Sequence, residues 1–407
     1  MHFRKCNYIF AEKDITMESL ITTFRLSLDM VPDAFVRSFH DKINWNNRLL
    51  GLVGQKGVGK STLILQHIKR FDDVSKSLYV QADDFYFAGH TLVDLARDFV
   101  KNGGLHLYID EIHKYKGWST EIKMIYDQLP MLNVVYSGSS ILDIKKGSKA
   151  DLSRRAVEYT IPGLSFREYL NLTQGWNLAE ATLDDILAGK VDFPFGKHRP
   201  LVYYKQYLQA GYYPYFAEPD FRIKLNQAVT TTVEDDIPKY ADMPVASAVK
   251  LKRLMYVLAK SVPFKPNYSN LSRDLEIGRN QLPDYISYLE KSGLFNALPA
   301  KGSGDAILNK IEKIYLNNSN IAYVVADSNP DEGTIRETMF LTWMREKFRV
   351  TASDISDFEV DGRTFEVGGK SKGKKQILAA DEGYIVADNM EYAVGNKIPI
   401  WMFGFLY

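Results

Sequence analysis

The sequence predicts an α/β protein in three parts: a P-loop parallel-sheet domain, a helical and winged-helix region, and a small α/β module. Three observations predict it. Between Leu49 and Ile161 the runs "RLLGLVG", "SLYVQADD", "GLHLYIDE" and "LNVVYSGSS" alternate with helical stretches, and each ends in small or acidic residues, as parallel strands buried on both faces do. The first run leads into "GQKGVGKST", a glycine-rich loop between a strand and a helix. From residue 166 the pattern turns helical and aromatic, and strands return only after Lys310, in "KIYLNN", "YVVA", "TFEVGG" and "IPIWMFGF", with a helix through "IRETMFLTWMREKF" between them. The expected divisions are therefore 1–165, 166–305 and 306–407.

Composition narrows the class. A chain of 407 residues exceeds the size at which one core keeps growing, and 45% hydrophobic with 25% charged residues is a globular balance. With 51 basic and 50 acidic residues there is no global positive field, so nucleic-acid contact would need local patches. Cys6 is the single cysteine, which excludes an intrachain disulfide and a cysteine-built zinc site. No apolar run reaches the roughly 18 residues of a membrane span, and the opening "MHFRKCNYIFAEKD" is charged where a signal peptide is apolar. A cytoplasmic protein with no membrane partner is expected. Residues 1 to 45 read as mainly helical, with "MESLITTFRLSLDMV" packing beside the first strand.

The loop Gly54, Gln55, Lys56, Gly57, Val58, Gly59, Lys60, Ser61 fits G-x-x-x-x-G-K-[ST] at every fixed position, with Thr62 opening the helix behind it. Glycines let backbone N–H groups approach a phosphate, and the helix turns its positive end to the same place. Lys60 then neutralises the outer phosphates and Ser61 ligates Mg²⁺. At the end of "LHLYIDE", Asp110 is the expected Mg²⁺ partner and Glu111 the group that polarises an attacking water. ATP and Mg²⁺ are the expected cofactors. No N-K-x-D base-reading motif of a GTPase appears, although "NKIP" at Asn396 begins like one.

With these motifs the chain resembles the AAA+ superfamily of ATPases. The strand "NVVYSGSS" ends in Ser137, Gly138, Ser139 and Ser140, where that superfamily carries its sensor residue, and the resemblance assigns that role to Ser139. A prokaryotic AAA+ group is resembled more closely through "LSRRAVEYTIPGLSFREYL", "QAGYYPYF" and "VEDDIPKY". By that resemblance Arg155, or its neighbour Arg154, is the finger that reaches a γ-phosphate. A finger acting on a neighbouring subunit implies a homo-oligomer.

"NYSNLSRDLEIGRNQLPDYISYLEKSGLFNAL" has helix-turn-helix or winged-helix spacing and sets Arg273, Arg279 and Asn280 where DNA contacts are made. Tyr212, Tyr213 and Tyr215 read as packing rather than base stacking. In the last part Asp357, Glu366 and Lys370, with Glu337 on a preceding helix, have the types of a restriction-endonuclease-like metal site. Such sites carry acid-x-lysine, whereas Val367, Gly368 and Gly369 separate Glu366 from Lys370. The group resembled has a C-terminal domain of unknown function that looks like a degenerate nuclease fold. Lys370, Lys372, Lys374 and Lys375 form a second candidate DNA contact. The expected function is ATP hydrolysis that repositions the winged-helix and nuclease-like modules. Beside it stand a nucleotide-dependent DNA-binding or protein-interaction switch and an ATP-gated, metal-dependent nuclease.

Overall fold

The computed structural model describes residues 16–139, 152–266, 268–302, 310–325, 330–373 and 376–407. Its first sheet holds five parallel strands: β1 (Leu49–Gly54), β2 (Ser77–Gln81), β3 (His106–Asp110), β4 (Asn133–Ser139) and β5 (Val157–Thr160), in the order β2-β3-β4-β1-β5. β1 sits between β4 and β5, with Leu52 opposite both Ser137 and Tyr159, and is buried along its whole length. Parallel crossovers place helices on the sheet faces, which is why these strands are apolar throughout rather than alternating. The helices are α1 (Met17–Met30), α2 (Lys60–Phe71), α3 (Leu92–Lys101) and α4 (Trp118–Gln128). A capping box between Thr91 and Asp94 starts α3. α1 buries Leu20, Phe24 and Leu28, but it lies against β2 and α2, not beside β1 as expected. β1 is already enclosed by strands on both edges.

The helical region contains α5 (Phe166–Gln174), α6 (Leu183–Leu187), α7 (Pro200–Gln206), α8 (Phe221–Thr231), α9 (Ile237–Tyr240) and α10 (Val245–Ser261). α7 runs into a π-turn at Tyr207–Gly211, and a second π-turn at Thr232–Asp236 joins α8 to α9. Such wide turns shift the register of a helix and often mark functional segments. Here they end beside "YYP" and carry "VEDD", the two sequence landmarks of this region.

α11 (Tyr268–Leu275) and α12 (Leu282–Lys291) meet at a tight turn in which Gln281 N–H donates to Gly278 O at 2.8 Å. An antiparallel pair, β6 (Phe295–Pro299) and β7 (Ile311–Leu316), follows. The "KIYLNN" strand thus pairs backward with β6. The strand expected at "YVVA" is instead, as far as Val325, the end of a helix, α13 (Ser319–Val325), and Ala326 lies outside the described residues. Asn318 Oδ1 accepts from Ile321 N–H at 3.1 Å at the start of α13, and packing against α8 and α10 overrides local propensity.

The remaining elements are α14 (Glu332–Arg345), β8 (Val350–Ala352), β9 (Phe358–Val360), β10 (Arg363–Gly368), β11 (Gly383–Ala387) and β12 (Lys397–Pro399). They form a mixed sheet ordered β12-β11-β10-β9-β8, antiparallel from β8 to β10 and parallel from β10 to β12. Of the expected strand "IPIWMFGF" only the start is extended. Ile400–Phe405 winds into tight turns because Trp401 and Phe403 must reach Phe166 of α5 and Phe340 of α14. One continuous apolar core links Leu52, Tyr213, Ile286 and Phe340 across all these parts. Among the described residues, no helix is long and apolar enough to cross a membrane.

Candidate nucleotide-binding site

The glycine-rich loop leaves β1 at Gly54 and enters α2 at Lys60. Gly57 (φ 85°) and Gly59 (φ 94°) are left-handed, a conformation that side chains rarely adopt. Space is short as well: a Cβ on Gly57 would clash at 2.5 Å with Tyr215 Cε1, and one on Gly59 would be tight at 3.3 Å from Pro214 Cγ. The "YYP" turn therefore packs directly on the loop. Val58 is buried, Thr62 is half-buried in the first turn of α2, and Lys56 Nζ lies 3.8 Å from Asp236 on the second π-turn.

Lys60 is buried, its Nζ donating to Gly54 O at 3.0 Å and Gln55 O at 2.9 Å. Burial lowers the pKa of this ammonium, and Glu111 and Asp110 pull it back up. Asp110 closes β3 and is buried. It accepts from Ser61 Oγ at 2.6 Å, from the Tyr79 hydroxyl at 2.5 Å, and from Ser137 Oγ. An all-oxygen pair of serine hydroxyl and carboxylate at a phosphate loop fits Mg²⁺, a hard cation that keeps several waters and takes one or two protein oxygens. Tyr79 and Ser137 orient Asp110, and the sequence flags neither hydroxyl for it. Tyr79 reads there only as a strand aromatic.

Glu111 has a left-handed backbone (φ 53°), uncommon for a residue with a side chain, at the turn that leaves β3. Burial raises its carboxyl pKa above the ordinary glutamate value, against the pull of Lys60. His113 Nε2 is 3.5 Å from Glu111 Oε2, and His113 Nδ1 accepts from Ser139 N–H at 3.3 Å. Burial depresses the His113 pKa to about 4, so the ring is neutral at pH 7. Ser139 therefore stands at the end of β4, one imidazole away from Glu111. Ser140 lies outside the described residues.

Arg155 is elsewhere. β5 runs parallel to β1 with Val157 opposite Leu50 and Thr160 opposite Val53, so Arg155 is level with the start of β1 while the loop leaves its far end. At roughly 3.3 Å per residue the separation is on the order of 20 Å. Arg155 pairs there with Asp127 at 2.9 Å, and Arg154 is exposed.

The "SFREYL" landmark has a structural explanation. Arg37 and Glu168 form a buried pair at 2.7 Å, and Arg37 also donates to Val58 O (3.1 Å), Pro162 O (2.6 Å) and Gly163 O (2.9 Å). One guanidinium thus ties the phosphate loop to the segment that follows β5.

In the last module the structure brings together Glu337 on α14, Asp357 before β9 and Glu366 on β10. Protein groups hold all three. Glu337 accepts from the Tyr315 hydroxyl at 2.8 Å, Lys313 lies 3.6 Å from Glu337 and 3.8 Å from Asp357, and Glu366 binds Lys372 and Ser356. Lys370 is exposed and does not take the expected place. Lys372 does, because the turn closed by Lys372 N–H to Gly369 O at 2.9 Å folds the chain back over Gly368. Lys374 and Lys375 lie outside the described residues. Among the described residues, no group of three or more His, Cys, Asp or Glu is placed to hold a metal ion. Arg273, Arg279 and Asn280 are exposed, with Arg273 paired to Asp274 at 3.1 Å.

Burial, with Glu337 and Glu366 beside it, pushes the Asp357 carboxyl up to about 6. An acid whose pKa is raised by folding contributes stability that is fully present at low pH and is lost as pH rises from about 4 to about 6. Asp357→Asn should therefore be more stable than the wild type at pH 7.5, by on the order of 1–2 kcal/mol, with the gain shrinking toward pH 5. Urea unfolding midpoints at the two pH values measure it. A gain that does not change with pH would count against a destabilising charge at Asp357.

A phosphate loop, a paired serine and aspartate, and an adjoining glutamate at the strand ends of a parallel sheet define a P-loop nucleotide-binding domain. Residues 46–170 match the AAA domain family (AAA_14), so this segment is similar to AAA-type P-loop domains. Residues 202–332, from α7 into the start of α14, match a domain of unknown function, DUF8612. The uncharacterized protein MJ1637 of Methanocaldococcus jannaschii is 28% identical over 292 residues, 67% of this chain and 61% of that protein. The chain thus spans less than two thirds of that relative. Among solved structures, C. elegans PCH-2 is 20% identical with a TM-score of 0.22 over 39% of this chain and 44% of that one. The S. cerevisiae Hsp104–ADP complex is 16% identical with a TM-score of 0.28 over 68% and 39%.

Proposed function

We propose that this protein is a Mg²⁺-dependent ATPase whose turnover repositions a winged-helix region, α11 to β7, and the α/β module after it. The observation that carries the reading is the cluster at the end of β3: Asp110 bonded to Ser61 at 2.6 Å, with Glu111 next to it, its carboxyl held above the ordinary glutamate pKa by burial against the pull of Lys60. Lys60 holds the outer phosphates, Ser61 and Asp110 hold the metal, and Glu111 takes the proton from the attacking water. Bound Mg²⁺ would supply charge neutralisation at the phosphates. Ser139 reaches Glu111 through His113 and acts as the sensor. The closing module is a restriction-endonuclease-like remnant, since lysine ammonium groups stand where a metal would be held.

Arg155 lies too far from its own loop to serve it, which favours action on a second copy and a homo-oligomeric ATPase. Turnover per subunit should therefore rise with protein concentration as the assembly forms. Arg155→Ala should remove most of that rise, by about 10³-fold or more if the arginine is a finger, with ADP affinity kept. Concentration-independent turnover that Arg155→Ala leaves unchanged would exclude the role.

A further inference from the structure

The second residue of the phosphate loop, Gln55, has a use for its side chain that the motif does not require. Its Oε1 accepts from the Tyr213 hydroxyl at 2.9 Å, and that hydroxyl accepts from Asn318 Nδ2 at 3.2 Å. Its Nε2 donates to the carbonyl of Gly293. Gln55, Tyr213 and Asn318 are all buried, so these bonds form where water does not compete. Gly293 is the left-handed residue (φ 81°) that ends α12: its N–H donates to Glu290 O at 2.8 Å, and Leu294 N–H donates to Leu289 O at 3.1 Å, the pattern of a Schellman turn. A Cβ on Gly293 would lie 2.5 Å from Gln55 Cγ. The end of α12 is thus seated against the loop that would hold phosphate.

We propose that Tyr213 is a positioning residue for the phosphate loop, and that the chain Asn318–Tyr213–Gln55–Gly293 couples nucleotide occupancy of the loop to the C-terminal turn of α12. The backbone of Gln55 belongs to the loop, so ordering the loop around a phosphate fixes where its side chain points. The turn of α12 receives that constraint through one amide. Because such coupling is reciprocal, whatever holds the α12 turn in place also raises nucleotide affinity. This inference rests on the nucleotide-binding reading above and specifies which part of the second region reads the site.

Tyr213→Phe tests it, because it keeps the ring in the core and deletes only the hydroxyl. An unchanged circular-dichroism spectrum and a single cooperative thermal transition confirm that the fold is kept. ADP affinity should fall about fivefold, the worth of one buried hydrogen bond, while kcat at saturating ATP stays within about twofold. In the wild type, ADP should slow hydrogen exchange at residues 289–297, and in Tyr213→Phe, which removes the donor to Gln55 Oε1 but leaves the bond from Nε2 to Gly293, that slowing should weaken. Unchanged ADP affinity overturns the inference. So does ADP-dependent protection of 289–297 that survives the substitution undiminished, or its absence from a wild type that binds ADP. A wild type that fails to bind ADP, as Lys60→Ala should, would instead remove the nucleotide reading itself.

Discussion

Glu111→Gln is expected to bind ATP and ADP as the wild type does and to hydrolyse ATP about 10²–10⁴-fold more slowly, the usual worth of a general base. Glutamine keeps the size and the hydrogen-bonding reach of the side chain but cannot take a proton from water. The geometry suits that task. Glu111 turns out of β3 with a left-handed backbone, is raised above the ordinary glutamate pKa by burial against the pull of Lys60, and has a neutral His113 at 3.5 Å. Single-turnover phosphate release measured beside direct nucleotide binding separates the two effects. Turnover that survives the substitution undiminished would take Glu111 out of the mechanism. Lys60→Ala is the contrasting case, because it removes the buried ammonium and should weaken binding as well.

The largest effect on stability should come from Arg37→Ala or Glu168→Ala, each costing about 3–5 kcal/mol, as breaking a buried pair does. Removing Arg37 takes the guanidinium away from Glu168, which keeps the Ser38 hydroxyl and Ser165 N–H as its other donors, and from the carbonyls of Val58, Pro162 and Gly163. Removing Glu168 leaves a fully enclosed guanidinium. Burial opposes the charge on both, yet the pair more than offsets it: Arg37 stays above its ordinary pKa and Glu168 below its own. Replacing both by apolar residues should cost much less than the two single changes together. A denaturant series over the four proteins gives the coupling. If the double replacement is as damaging as the sum, the two side chains act separately. Since Val58 is one of the acceptors, Arg37→Ala should also loosen the phosphate loop.

The phosphate loop, the acidic strand end and the parallel sheet were legible in the sequence because each is written in consecutive residues. Gly57 and Gly59 are demanded by the left-handed backbone of a turn, Lys60 and Ser61 complete the fixed positions of the loop motif, and the apolar runs are demanded by burial on both faces. Asp110 and Glu111 close such a run, and that position alone singles them out. Helix or strand at "YVVA" was not decided locally, since its β-branched residues favour extension until α8 and α10 supply a helix-shaped surface. Tertiary structure alone placed Tyr79 and Ser137 on Asp110, put Lys372 rather than Lys370 on Glu366, and set Arg155 at the wrong end of the sheet for its own loop. It also gave the Gln55 side chain partners that lie far along the chain, at Tyr213 and Gly293. A sequence motif records what a segment must do for its own backbone and ligand. The partners of a side chain depend on which distant segments the core brings beside it.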